Sequence, residues 1–259
     1  MIVALGERRR YGPLPRGTIR LAAIAGLFFT GDLMFWHHAI GAVGAGLATV
    51  LGNLQVIIVG FFAWLLLGER PSRATLLALP VVLVGVILIS GVVGSGAYGA
   101  APLLGVILGV ATAICYSAYL LIIRRGGRDP RRPAGPVVIA TVVVAVTSLV
   151  IGQGMGDLDL TPPLHSLFWL ALLGISAQSA GYLLISISLP RLPAIITSVI
   201  LLTQPVMSMG LAIVLLKETP SPIQLLGVGL VIGGIAGATV PVARLRDGLM
   251  RARSVSTGD

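Results

Sequence analysis

Residues 31–77 read GDLMFWHHAIGAVGAGLATVLGNLQVIIVGFFAWLLLGERPSRATLL, and this stretch decides the fold. It opens on Asp32, the only acid in the chain surrounded by apolar sequence, with Trp36, His37 and His38 close behind. A second apolar span comes next, carries Asn53 and Gln55, and ends in the turn LLGERPSRATLL. That turn returns 149 residues later as LLKETPSPIQLL. Leu66, Leu67, Glu69, Pro71, Ser72, Leu76 and Leu77 recur as Leu215, Leu216, Glu218, Pro220, Ser221, Leu225 and Leu226. A repeat that brackets polar residues inside apolar helices is the pattern of a membrane transporter.

The composition agrees. The 259 residues are 56% hydrophobic and only 10% charged, with a mean hydropathy of +1.00, whereas soluble domains average about 25% charged. Eight of the nine Asp and Glu fall in turns or tails. Apolar runs of bilayer-crossing length, about 20 residues, recur throughout. Eight spans are expected, near 18–38, 42–67, 73–94, 103–124, 135–153, 166–187, 193–216 and 222–242. Gly- and Pro-rich gaps such as RRGGRDPRRPAGP separate them. Barrel strands are excluded, because they would alternate polarity every second residue. MIVALGERRR places its charges after a short apolar stub and is no signal peptide. Cys115 stands alone, so no disulfide framework exists.

The net charge of +9 reflects topology rather than nucleic acid. Eight spans put both termini on one side, and that side then collects 17 of the 18 Lys and Arg. Lys217, Asp157 and Asp159 remain opposite. The positive-inside rule makes this a multi-pass protein of the cytoplasmic membrane with both termini cytoplasmic. The turn at Glu69 then lies on the cytoplasmic side and its copy at Glu218 on the far side. The two copies cross the membrane in opposite directions, with Gln55 paired to Gln204, Ala63 to Ala212 and Gly85 to Gly234. An inverted repeat of this kind exposes one central site alternately to each face. Residues 1–94 form a first repeat of three helices, 103–242 a second of five, and 243–259 a basic cytoplasmic tail. The imbalance makes Met1–Leu5 read as the stub of a helix and favours an earlier start codon, with two more helices upstream, over a genuine eight-span variant.

GDLMFWHHAI, ATVLGNLQVIIVGFFAWLLLGERPS and the span to Gly91 resemble the EamA-type permeases of the drug/metabolite transporter superfamily. So do SAGYLLISISLPRLPAIITSVILLTQPVMSMGLAIVLLKETPS and the span after it, and together the likeness covers about residues 18–242. The resemblance implies an all-α polytopic bundle of ten helices in two inverted five-helix repeats, the first two helices apparently missing here. It also implies secondary transport, with export of amino acids or related metabolites the commoner case. Val56 departs from the family, which usually has proline there, while Gln204-Pro205 keeps it.

Candidate pathway residues are Asp32, Trp36, Asn53, Gln55, Gln178, Tyr182 and Gln204. An acid near a helix centre costs about 2.5–3.5 kcal/mol on insertion scales, so Asp32 faces the bundle interior or water. It serves either as a proton-titrating or cation-pairing group or as a hydrogen-bonded packing carboxylate. Trp36, one turn on, suits stacking on an organic substrate or anchoring at the interface. Asn53, Gln55 and Gln204 offer mid-membrane amides to a polar metabolite, or to neighbouring helices. Gln178 and Tyr182 lie on the second-half counterpart of the Asp32 span, where Gly181 holds Asp32's position. Glu69 and Glu218 fit turn-capping roles. Gly105/Gly109 and Gly229/Gly233/Gly237 form faces that fit close helix approach, either in internal packing, which is favoured, or in dimerisation.

His37, His38 and His165 lack partners for a metal, and no cofactor motif appears. The GxGD string Gly154–Asp157 has no second intramembrane aspartate to make a protease. The chain is therefore read as no enzyme. The expected partners are membrane lipid, a small-molecule substrate, a proton and a second copy in a homodimer, with nucleic acid excluded. The alternative reading is a truncated, non-transporting fragment or assembly partner.

Overall fold

The computed structural model describes residues 2–90, 101–127, 129, 131–156, 161–216 and 220–239. These residues form α1 (Ile2–Tyr11), α2 (Arg16–Gly52), α3 (Gln55–Leu67), α4 (Arg73–Ile89), α5 (Pro102–Gly126) and α6 (Ala134–Met155). They continue as α7 (Leu164–Leu173), a π-helical stretch Gly174–Gly181, α8 (Tyr182–Ser188), α9 (Ala194–Leu201), α10 (Thr203–Leu216) and α11 (Pro222–Thr239). No strand occurs among the described residues. Glu218, Asp157, Asp159, Lys217 and the basic tail lie outside them.

The 37 residues of α2 would run about 55 Å at 1.5 Å per residue, nearly twice a bilayer core. Gly44 resolves the excess: at φ 81° and ψ 159° it interrupts the helix in a conformation that side chains disfavour. Contacts with α5 reveal a change of direction at this point. Gly105 meets Val43, Cys115 meets Gly31 and Gly126 meets Leu21, so residues 16–43 run antiparallel to α5. Gly109 meets Leu51 and Ser117 reaches the Gln55 carbonyl, so residues 45–67 run parallel to α5. The chain therefore crosses, reverses at Gly44 and crosses back. With Arg16–Leu67 counted as two crossings, the described residues supply eight apolar helical segments, six of them in long runs and the shorter ones at Arg73–Ile89 and Pro222–Ala238, an all-α polytopic membrane bundle. The reversal lies a few residues beyond the expected gap at 39–41.

Every described arginine lies at one end of this bundle, which we call the arginine end. Residue 16 and residue 239 lie there too. The return crossing 45–67 is broken at Asn53 and Leu54, and its counterpart 194–216 is broken at Leu202, the same position at the 149-residue offset. The first turns of α4 and α11 also match. Ser72 Oγ accepts the Thr75 amide at 3.1 Å, and Ser221 Oγ accepts the Gln224 amide at 3.3 Å. Ser72→Ala should destabilise the protein by about 1 kcal/mol, the usual worth of an N-cap, and detergent melting would measure it.

Packing between α4 and α11 carries the symmetry. A Cβ on Gly85 would lie 2.8 Å from the Gly227 oxygen and 2.8 Å from Val231 Cγ2. A Cβ on Gly234 would meet Val82, with the Ala78 oxygen 3.5 Å away. At the 149-residue offset these are the same contacts with the halves exchanged. The pairing runs forward along α4 and backward along α11, so the twofold relating them lies across the helices. That is the geometry of an inverted repeat.

Gly105 and Gly109 pack as expected, against Val43 and Leu51. Gly229, Gly233 and Gly237 meet nothing, because α11 turns Gly227, Val231 and Gly234 toward α4 instead. The crossing Leu164–Ser188 buries only Ser186 among its residues. Its counterpart, residues 16–43, is flanked by α5 and α6; no equivalent flank covers 164–188 among the described residues.

Candidate functional site

The repeat-related helices α3 and α9 meet at the arginine end. Ile195 of α9 fills the notch above Gly60, where a Cβ would sit 2.7 Å from Ile195 Cδ1. Gly68 terminates α3 at φ 69°, and the Glu69 amide turns back to the Ala63 oxygen at 3.2 Å. That turn aims the Glu69 carboxylate across the seam. It takes both guanidinium nitrogens of Arg124 on α5, at 2.6 and 2.9 Å, and the Ala194 amide that begins α9, at 2.8 Å. Three elements are thereby tied at one carboxylate. Partial burial raises the Glu69 pKa, but the Arg124 hydrogen bond, the Ala194 amide and the Arg124 charge together outweigh it and hold the group below the usual carboxylate range.

The corresponding pair at the far end is parted. At the 149-residue offset Gly60 and Ile195 become Met209 and Gly46, and both line a cavity of about 510 Å³. Trp36, Thr49, Ser90, Gln204 and Gln224 supply its amide, hydroxyl and indole groups. Gln224 is held in place: its Oε1 accepts the Ser221 amide at 2.9 Å and its Nε2 donates to the Ile89 oxygen at 3.3 Å. Gln204 is exposed to the cavity, whereas its mate Gln55 is buried on the sealed side. Gln55 Oε1 has no hydrogen-bond partner among the described residues. The cavity can take a small polar organic molecule with an apolar body.

A family model described as the EamA-like transporter family matches residues 1–91 and 103–240. The chain belongs to that family. Two relatives of this EamA chain are instructive. The threonine/homoserine exporter RhtA of Escherichia coli (strain K12) is 28% identical over 145 residues, 55% of this chain and 47% of the exporter. The chain thus spans about half the length of that curated relative. The uncharacterized transporter sll1319 of Synechocystis sp. is 26% identical over 256 residues, 91% of this chain and 74% of the relative. A crystal structure of a protein described no further superposes with a TM-score of 0.75 at 24% identity, covering 92% of this chain and 83% of that one, and shows the same fold.

Within this EamA chain the seven candidate residues separate into groups. Trp36 and Gln204 line the cavity. Asp32 and Gln55 are buried beside α5, where Thr112 donates to the Asp32 carbonyl at 3.4 Å. Tyr182 joins an interior ring cluster with Phe29, Tyr116 and Tyr119, its centroid 4.8 Å from Phe29. Asn53 sits half-buried at the helix break, and Gln178 half-buried in the π-helical stretch. His38 Nδ1 hydrogen-bonds the Met34 oxygen at 2.7 Å, and no metal-binding cluster occurs among the described residues. Thr49, Ser90 and Gln224 were missed. The Ser221-x-x-Gln224 capping box was the signal that could have placed Gln224.

Proposed function

We propose that this membrane transporter is a secondary carrier that moves a small organic metabolite across the cytoplasmic membrane by alternating access, with both termini cytoplasmic. One observation carries the reading. Two helix pairs related by the repeat differ in state, α3 against α9 sealed and residues 45–52 against α10 parted around a cavity. Exchanging the two states would present the same central polar residues to the arginine end. Residues 1–94 and 103–242 act as the two exchanging repeats, and Asp32, buried beside α5, is the group for a coupled proton. Sequence similarity to a threonine/homoserine exporter makes small amino acids the first substrates to test, in the outward direction. The relatives are transporters, which supports a carrier rather than an enzyme.

The test is flux from proteoliposomes loaded with labelled threonine or homoserine. Gln204→Ala should lower flux at least about tenfold, the worth of one polar contact to a charged ligand. Leu184→Ala, on the exposed face of α8, should leave it unchanged. Equal flux from Gln204→Ala and the parent protein would remove the cavity from the pathway. Asp32→Asn transporting with the same pH dependence would remove the proton role.

A second reading is favoured by the open flank of the 164–188 crossing, which suits an assembly partner that docks further helices or a second copy. Absence of flux from the purified chain, restored only when it associates, would select that reading.

A further inference from the structure

We propose that the cleft between α1 and α6 at the arginine end holds one anionic phospholipid. The cleft encloses about 360 Å³. Leu5, Leu14, Ile19, Val138 and Ile139 give it apolar walls, and Arg8 and Arg132 give it cationic lining. Ile19 and Ile139 belong to membrane crossings, while Arg8 lies on α1 beyond them. The cleft thus passes from charge to hydrocarbon in the order that a lipid headgroup and its chains require.

The charge balance decides the sign of the ligand. Glu7 also lines the cleft, but its two oxygens accept the Ala134 and Gly135 amides at 2.9 Å each. Those amides open α6, so the Glu7 charge is matched by the helix N-terminus. Asp129 accepts the Arg131 amide at 3.0 Å and lies 3.7 Å from Arg132 Nε. Glu69 is taken up by Arg124. Arg8, Arg9, Arg16 and Arg20 have no acid partner among the described residues, which leaves the face strongly positive.

Arg132 is already oriented. Its Nη1 donates to the Pro13 oxygen at 2.9 Å, and its guanidinium lies 5.6 Å from the Tyr11 ring centroid. A guanidinium fixed in this way recognises phosphate without first losing its own freedom. The apolar walls exclude a free anion as the fitting occupant, because inorganic phosphate would leave them empty.

Native mass spectrometry of the purified chain, released from bilayers of equal phosphatidylglycerol and phosphatidylcholine, tests this without any transport assay. One phosphatidylglycerol should be retained per chain in preference to phosphatidylcholine. Arg8→Gln should weaken retention about fivefold, the typical effect of one basic residue near an anionic surface. Val138→Trp, which fills the cleft and keeps every charge, should abolish it. Arg73→Gln, at the same end but outside the cleft, should change nothing. Equal retention of the two lipids overturns the proposal, as does an Arg73→Gln loss equal to that of Arg8→Gln. So does displacement by glycerol phosphate as effective as displacement by the lipid. A chain that binds the lipid but carries no substrate would refute the transport reading alone.

Discussion

Gly227→Ala is expected to cost about 3 kcal/mol of stability, the upper part of the overpacking range. A Cβ there would stand 2.7 Å from the Gly85 oxygen and 2.9 Å from the Ile89 nitrogen. Both are backbone atoms, so relief requires moving a whole helix rather than a side-chain tip. Within a bilayer the loss is acute, because close van der Waals approach is a main force holding apolar helices together. Gly85→Ala should behave alike, since its Cβ would sit 2.8 Å from the Gly227 oxygen. Gly233→Ala, with nothing within 4 Å, should be neutral. Melting of the purified variants reads all three. If Gly233→Ala falls as far as Gly227→Ala, the α4–α11 seam is misassigned.

Glu69→Gln is expected to loosen the seal at the arginine end by about 2 kcal/mol, the worth of a hydrogen bond to a charged group, or about 30-fold in its opening equilibrium. The amide keeps the shape of the side chain but leaves the Arg124 guanidinium without its acid. Ile195→Cys reports the change, because Ile195 is buried under that seal. A membrane-impermeant maleimide should label it slowly in the parent and about 30-fold faster beside Glu69→Gln. Unchanged labelling would mean that Glu69 merely ends α3. The pH dependence has a fixed sign. The folded-state pKa of Glu69 is lowered, so its stabilisation is complete above the usual glutamate value of about 4.3 and is lost as pH falls through the lowered value. Labelling divided by that of an exposed reporter, Leu184→Cys, which removes the loss of thiolate with falling pH, should therefore stay flat from neutrality into mild acid and rise only below that range. Glu69→Gln should lack the rise.

The eight crossings were legible because hydropathy and arginine placement constrain each other. The reversal point was less so: Gly41, Gly44 and Gly46 all offer a turn, and only the packing of Val43 and Leu51 on α5 selects Gly44. The glycine ladder at 229, 233 and 237 has the spacing of a packing stripe, yet Gly227 and Gly234 share another face of the same helix. A sequence does not say which face meets a neighbour when both are smooth. Trp36 and Gln204, which polarity and the repeat single out in the sequence, line the cavity. The seal at one end and the cavity at the other were not. Two nearly equivalent halves are degenerate by sequence, and only the fold chooses which copy of the contact is closed.

The interruptions at Asn53 and Leu202 tighten two rods at their midpoints, where i−3 bonds such as Leu54 to Leu51 and Leu202 to Val199 stand among the helical ones, and a helix thinned in this way bends most easily there. Residues 45–52 can tilt without dragging α3, and α10 without dragging α9. Damage to one mouth of the bundle should then leave the opposite mouth watertight, so a leak and a jam would arise from separate sets of substitutions.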